Sequence, residues 1–169
     1  MGLYGSMKDT FNAEYKTRPE IYKQRLAEWA KQPPVQRVDK PTNIARARVL
    51  GYKAKQGIIV VRVRVGGGSS KLKQPGGGRK PSKNGRYFTR AKSLRAIAEE
   101  RAARKYMNCE VVNSYFVGSK SDKKYYEVIL AETSSPSLAK DKNYSTIISR
   151  KRRAFRALTS AGKKHRGLA

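Results

Sequence analysis

Acid is what this sequence is short of. Only 12 Asp and Glu stand against 39 Lys and Arg in 169 residues, a formal net charge of +27. Self-repulsion of that size opposes a compact state, so the chain is expected to work beside a polyanion. Cysteine is nearly missing: Cys109 stands alone, which excludes a disulfide framework. With a single histidine as well, His165, the chain cannot assemble the four Cys or His ligands of a tetrahedral metal site. No apolar run approaches the ~18 residues of a membrane span. The opening Met1-Gly2-Leu3-Tyr4-Gly5-Ser6 lacks the basic-then-apolar layout of a signal peptide. A soluble, intracellular protein is the expectation. Large aliphatics are scarce too. Leu, Ile, Val and Phe number 32, about 19% of the chain, which at this charge borders on the composition of disordered proteins.

The distribution of what is present corrects that average. Of those 32 residues, 17 fall in segments 49–65 and 94–130, so a small folded centre is predicted. Charge is distributed in the complementary way. Residues 1–40 are net +3, residues 41–107 net +16, residues 108–148 neutral and residues 149–169 net +8. A neutral structural piece flanked by basic, polyanion-binding segments fits this pattern.

Local signals place the elements. Leu3, Met7, Phe11 and Tyr15 have helical spacing. Thr17-Arg18-Pro19-Glu20 has the form of a capping box, and Tyr22, Leu26 and Trp29 follow on one helical face until Pro33-Pro34 ends it. A short helix is predicted from Asn43 to Leu50, with Gly51 placed to end it. Residues 58–65 are β-branched and read as a strand. Ile59, Val61, Val63 and Val65 are assigned to the core, and Arg62 and Arg64 to the opposite face, pointing away from it. A helix is predicted from about Thr89 to Met107, and a hairpin from Glu110–Val117 and Tyr125–Ala131. The expected fold class is therefore α+β: a small antiparallel or mixed sheet of about three strands, a crossover helix and helices at the N-terminus. Residues 1–148 form one domain in this reading, and residues 149–169 a basic C-terminal tail.

Residues 66–86 break the pattern, with seven glycines, two prolines, six basic residues and no acid. Such a stretch cannot bury enough surface to offset an ordering cost of roughly 1–2 kcal/mol per residue. A flexible loop that takes shape on its ligand is expected, with Lys71, Lys73, Arg79, Lys80, Lys83 and Arg86 on phosphates.

Enzyme signatures fail in turn. The clusters Gly66-Gly67-Gly68 and Gly76-Gly77-Gly78 match neither phosphate-loop pattern. Glu99 and Glu100 are adjacent on a helix, so they diverge by about 100° and read as surface partners of Arg95, Arg101 and Arg104 rather than a carboxylate pair. Cys109 opens an apolar strand and His165 lies in a charged segment, so a nucleophilic dyad is not supported. No enzyme, cofactor or metal site is expected. What remains is phosphate chemistry. Arg46 and Arg48 on the short helix would spread their contacts, while Arg62 and Arg64 would project side by side. Tyr52 and Tyr87 lie in basic surroundings where base stacking and packing suit them equally. No helix-turn-helix, zinc finger, basic zipper or RNP1-type strand is visible, which favours a large folded RNA read by shape and phosphate. The rivals are a charge-driven DNA compactor and an RNA-modifying enzyme.

Three blocks then carry a family resemblance. The first is Arg48-Val49-Leu50-Gly51-Tyr52-Lys53-Ala54-Lys55-Gln56-Gly57, running into the strand. The second is Ala98-Glu99-Glu100-Arg101-Ala102 leading to Val111 through Gly118 and then Tyr126 through Leu130. The third is Leu158-Thr159-Ser160-Ala161-Gly162 followed by Arg166-Gly167-Leu168. Together they resemble the eukaryotic-type ribosomal protein fifteen family of archaeal and eukaryotic large subunits, and the chain's length and N-terminal form are nearer the archaeal members. The resemblance implies a structural constituent of the large ribosomal subunit without enzymatic activity. It would sit in large-subunit ribosomal RNA in the cytoplasm, beside neighbouring ribosomal proteins. It implies RNA contacts at Lys53 and Lys55, and in the tail at Arg150, Lys151, Arg152, Arg153, Lys163, Lys164 and Arg166. Relatives usually carry glycine where this chain has Ala157, and alanine disfavours a positive φ there. Relatives also often continue with a longer basic tail.

Overall fold

The computed structural model describes residues 2–68 and 92–168. The basic glycine-rich loop, with Lys71, Lys73, Arg79, Lys80, Lys83, Arg86 and Tyr87, therefore lies outside the described residues apart from its first three positions. The same holds for the expected helix start at Thr89.

A four-stranded antiparallel sheet organises the described residues. Its strands are β1 (Val35–Val38), β2 (Ile58–Gly66), β3 (Cys109–Lys120) and β4 (Lys123–Glu132), in the order β1-β2-β4-β3. The α+β class stands, with one strand more than expected. The hairpin extends further than its apolar centre suggested: β3 and β4 run to a two-residue turn at Ser121-Asp122, where Ser121 adopts a φ of +51°. Apolar and polar residues alternate poorly along β4 because both of its faces are covered, and Tyr125 through Ala131 are all buried.

Two cores lie on the two faces. On one, α2 (Glu20–Lys31) sets Tyr22, Leu26 and Trp29 against Tyr115, Val117, Tyr125 and Ile129. Ala47 of α3 (Ile44–Val49), Leu138 of α5 (Pro136–Ala139) and Tyr144 of α6 (Lys142–Ile148) complete it. On the other, α4 (Leu94–Lys105) lays Ala98 and Ala102 flat against Val61, Val63, Val65, Val128 and Leu130. Ala98 and Ala102 are wholly buried, small enough for the helix to come close to the sheet. Ser93 caps α4 by accepting a hydrogen bond from Ala96 N at 3.2 Å. α1 (Leu3–Thr17) forms as its spacing predicted, but none of its residues is buried.

Four expectations change on contact with the structure. Thr17 does not open a capping box. It belongs to the last turn of α1, its hydroxyl donates to Ala13 O at 2.9 Å, and Arg18 ends that helix in the left-handed region at φ +49°. Arg62 does not point away from a core, because the sheet has no bare face. It is 9% exposed and lies 3.9 Å from the centre of the Trp29 ring. Glu99 is not a surface partner but is 1% exposed, whereas Glu100 does pair outwardly, with Lys92 at 2.6 Å. Finally, the segment expected to be a tail is folded. Ala154, Thr159, Ala161 and Gly162 are buried, and α7 (Ser160–His165) packs near α4.

Candidate nucleic-acid interface

The exterior is built by sorting charge. Three of the twelve acids (Glu99, Glu110 and Glu127) are buried, each consumed by donors of the fold. Glu127 accepts from Thr42 N at 3.0 Å, from the hydroxyls of Thr42 and Tyr115 at 2.5 Å, and from Arg62 at 3.3 Å. Burial and the adjacent Glu127 charge push the Tyr115 hydroxyl far above the ordinary phenol range. Burial lowers Arg62 from the ordinary guanidinium value against the pull of Glu127, and the pair sits sealed under Trp29. Glu99 accepts from the hydroxyls of Ser114 and Thr159, the latter at 2.5 Å, and burial raises its carboxyl above the ordinary value. Glu110 takes the backbone N–H groups of Arg152 at 2.6 Å and Arg153 at 3.1 Å, which fixes the C-terminal segment to β3.

Cations remain outside. Asn43 caps α3 by accepting from Arg46 N at 2.9 Å, and Arg46 and Arg48 then emerge exposed from the last turn. Arg48 donates to the Tyr4 hydroxyl and lies over that ring at 5.2 Å. The loop after α3 carries Lys53 and Lys55 between Gly51 (φ +95°) and Gly57 (φ +87°). Their ammonium groups meet at Asp141 Oδ2, at 3.3 and 3.0 Å. The Asn143 backbone N–H, with Lys55 and Lys53, holds the Asp141 carboxyl at about 2. Tyr52 is half-buried and packs against the core beside Leu50. Arg64 is half-buried, with its guanidinium donating to Ala30 O at 2.5 Å.

In the C-terminal segment Arg150, Lys151 and Arg152 are exposed, while Arg153 is half-buried and donates to Val111 O at 2.5 Å. Lys163 and Lys164 in the last turn of α7, and Arg166 just beyond, are exposed. Ala157 takes a φ of +52° despite carrying a Cβ. The conformation is held by α7, whose Gly162 leaves no room for a Cβ: one there would stand 2.5 Å from Ala157 Cα. The expected contacts thus do not form one patch. Arg46 and Arg48 flank the core that α2 covers, and the C-terminal cations the core that α4 covers.

Sequence reasoning missed Arg95 and Lys8. Both line an open groove of about 730 Å³ between α1, α3 and β3, with Tyr4, Phe11, Tyr15 and Arg46. Arg95 was legible only as a helix-surface partner of Glu99, which it approaches to 3.9 Å. Its guanidinium also donates to Ser114 Oγ at 2.8 Å and Asn113 Oδ1 at 2.6 Å. The aromatics of α1 read as packing residues from their spacing alone. Cys109 is buried, and burial pushes its thiol up to about 11.

A two-sided α+β sheet that buries three of its twelve acids and leaves most of its described cations exposed defines a strongly basic protein. A model of the Ribosomal L15 family, of the L15e type, matches residues 2–169, and the chain belongs to that family. It is accordingly a structural protein of the large ribosomal subunit, a component of the cytoplasmic ribosome that serves translation.

Proposed function

We propose that this chain stabilises the large subunit by binding its ribosomal RNA through exposed cations grouped at three places. The first is α3 with the following loop, carrying Arg46, Arg48, Lys53 and Lys55. The second is the C-terminal segment, with Arg150, Lys151, Arg152, Lys163, Lys164 and Arg166. The third is the glycine-rich loop with its six basic residues. Arg62 and Arg64 support the strand from within rather than touching phosphate. The observation that carries this reading is the burial of Glu99, Glu110 and Glu127. By hiding acids, the fold presents RNA with a surface more one-signed than the overall charge implies. Each cation set on a phosphate releases condensed counterions, so affinity falls steeply with salt. Neighbouring ribosomal proteins complete the partners, and no chemistry is performed.

Filter binding of the full chain to large-subunit rRNA fragments across a salt series tests the reading. Replacing Lys163, Lys164 and Arg166 with alanine should flatten the log–log salt slope by roughly 0.7–0.9 per lost contact, while Arg62→Lys should leave it unchanged. An unaltered slope in the triple variant, or duplex DNA bound as tightly as rRNA at equal salt, overturns the proposal.

A further inference from the structure

α1 meets the body of the protein through Phe11, Tyr15 and Glu14 but leaves a gap along the rest of its inner side. No residue in it is buried, and the gap beneath it is the 730 Å³ groove. That volume lies within the ~300–1,000 Å³ range typical of small-molecule sites. Its composition is specific. Three cations line it (Lys8 from α1, Arg46 from α3 and Arg95 from α4), and no carboxylate does. Tyr4 and Tyr15 stand along its α1 side, 45% and 37% exposed, with Phe11 between them in sequence. Tyr15 is steadied edge-on by Phe116 at 5.5 Å and Tyr22 at 6.4 Å. Tyr4 is fixed by its contact with Arg48. Arg95 is set in place by Asn113 and Ser114, so it is preorganised rather than free to swing. Asn12 and Asn43 add amide groups suited to the edge of a heterocycle.

An amphipathic helix or apolar peptide would have to cover Lys8 and Arg46 in this groove without bringing them a counter-charge. An unstacked nucleotide has the opposite character. It brings a flat π-face for the tyrosines, an edge for amides and hydroxyls, and a phosphate on each side for lysine and arginine. We propose that the groove between α1, α3 and β3 holds a single unpaired nucleotide of RNA, with its base on the aromatic side of α1. Its phosphates face Lys8 and Arg46, and Arg95 lies at the floor. This deepens the RNA-binding reading and rests on it: the exposed cations grip folded RNA by charge, whereas this groove selects a splayed-out base.

The test uses the full chain and two labelled RNAs, a single strand of about eight nucleotides and a fully paired hairpin with the same number of phosphates. Tyr15→Leu should weaken the single strand about tenfold and leave the hairpin affinity unchanged. Arg46→Ala should weaken both. If Tyr15→Leu melts below the wild type, Tyr4→Ala carries the same comparison, because Tyr4 lies at the exposed end of α1. Photocrosslinking from 4-thiouridine in the single strand should fall on the peptide spanning Tyr4 to Tyr15. Equal loss for both RNAs, no loss for either, or crosslinks confined to the C-terminal segment overturns the groove while leaving the charge-based reading standing. Failure of the wild-type chain to bind either RNA overturns both.

Discussion

Removing the Glu127 carboxylate should be among the most damaging single changes the fold can suffer. Glu127 lies at the centre of β4, wholly buried, and satisfies Thr42, Tyr115 and Arg62 together. Glu127→Ala leaves the Arg62 guanidinium buried without its counter-charge, a loss of about 3–5 kcal/mol. It also strands the hydroxyls of Thr42 and Tyr115, each adding about 1 kcal/mol or more. Against a typical domain stability of about 5–15 kcal/mol, this removes a third of the total at least. Glu127→Gln keeps the shape and an acceptor for Tyr115 but turns an amide or a neutral oxygen toward Arg62, so it should lose less than alanine. The double change Arg62→Met with Glu127→Leu should recover part of the loss by removing both charges, leaving only the orphaned hydroxyls. Urea denaturation followed by tryptophan fluorescence reads this directly. Trp29 is the single tryptophan, and its ring carries Arg62 at 3.9 Å and Tyr125 at 5.4 Å. A loss below about 1 kcal/mol for Glu127→Ala, the level of an exposed ion pair, would refute the account of a sealed pair that organises the sheet.

Three further substitutions have expected outcomes. Ala157→Gly should stabilise the chain by about 1 kcal/mol, since a left-handed alanine costs roughly 1–2 kcal/mol and glycine returns part of that as unfolded-state entropy. Gly162→Ala should destabilise it by about 1–3 kcal/mol through overpacking against Ala157, and thermal melts of both variants check the pair. Glu99 sets a pH dependence of unusual sign. Burial raises its folded carboxyl above the unfolded value, so the stability tied to its protonation is complete below about pH 4.5. That contribution is lost as pH rises through the higher folded value. Glu99→Gln should remove this component, so the stability difference between variant and wild type should change across mildly acidic pH; parallel profiles would contradict it.

What the sequence disclosed, and what it withheld, divides along physical lines. Local signals survived: the helical faces of α1 and α2, the short helix between Asn43 and Leu50, and the β-branched run of β2 are local properties and formed as read. β1 was missed because four residues after Pro33-Pro34 carry almost no pattern of their own. They become a strand only by pairing with Val60–Val63. Arg62 and Glu99 were misplaced because charge in a sequence reads as surface, and only the partner across the fold shows otherwise. The C-terminal segment looked like a tail for the same reason. Its attachment depends on two acids, Glu110 and Glu99, 42 and 60 residues away from the groups they hold. The groove was invisible because it belongs to four separate elements and to none of their sequence patterns.

The interior carboxylates also bear on when RNA can recognise this chain. Unfolded, it is a polycation punctuated by twelve acids; folded, three of those acids vanish from the surface. A polyanion that prefers the second form draws the equilibrium toward it, adding about 1.4 kcal/mol for each tenfold excess of free RNA over its dissociation constant. On the proposed RNA-binding reading, a copy that has not put Glu99, Glu110 and Glu127 away would bind less well, so the RNA would favour finished protein.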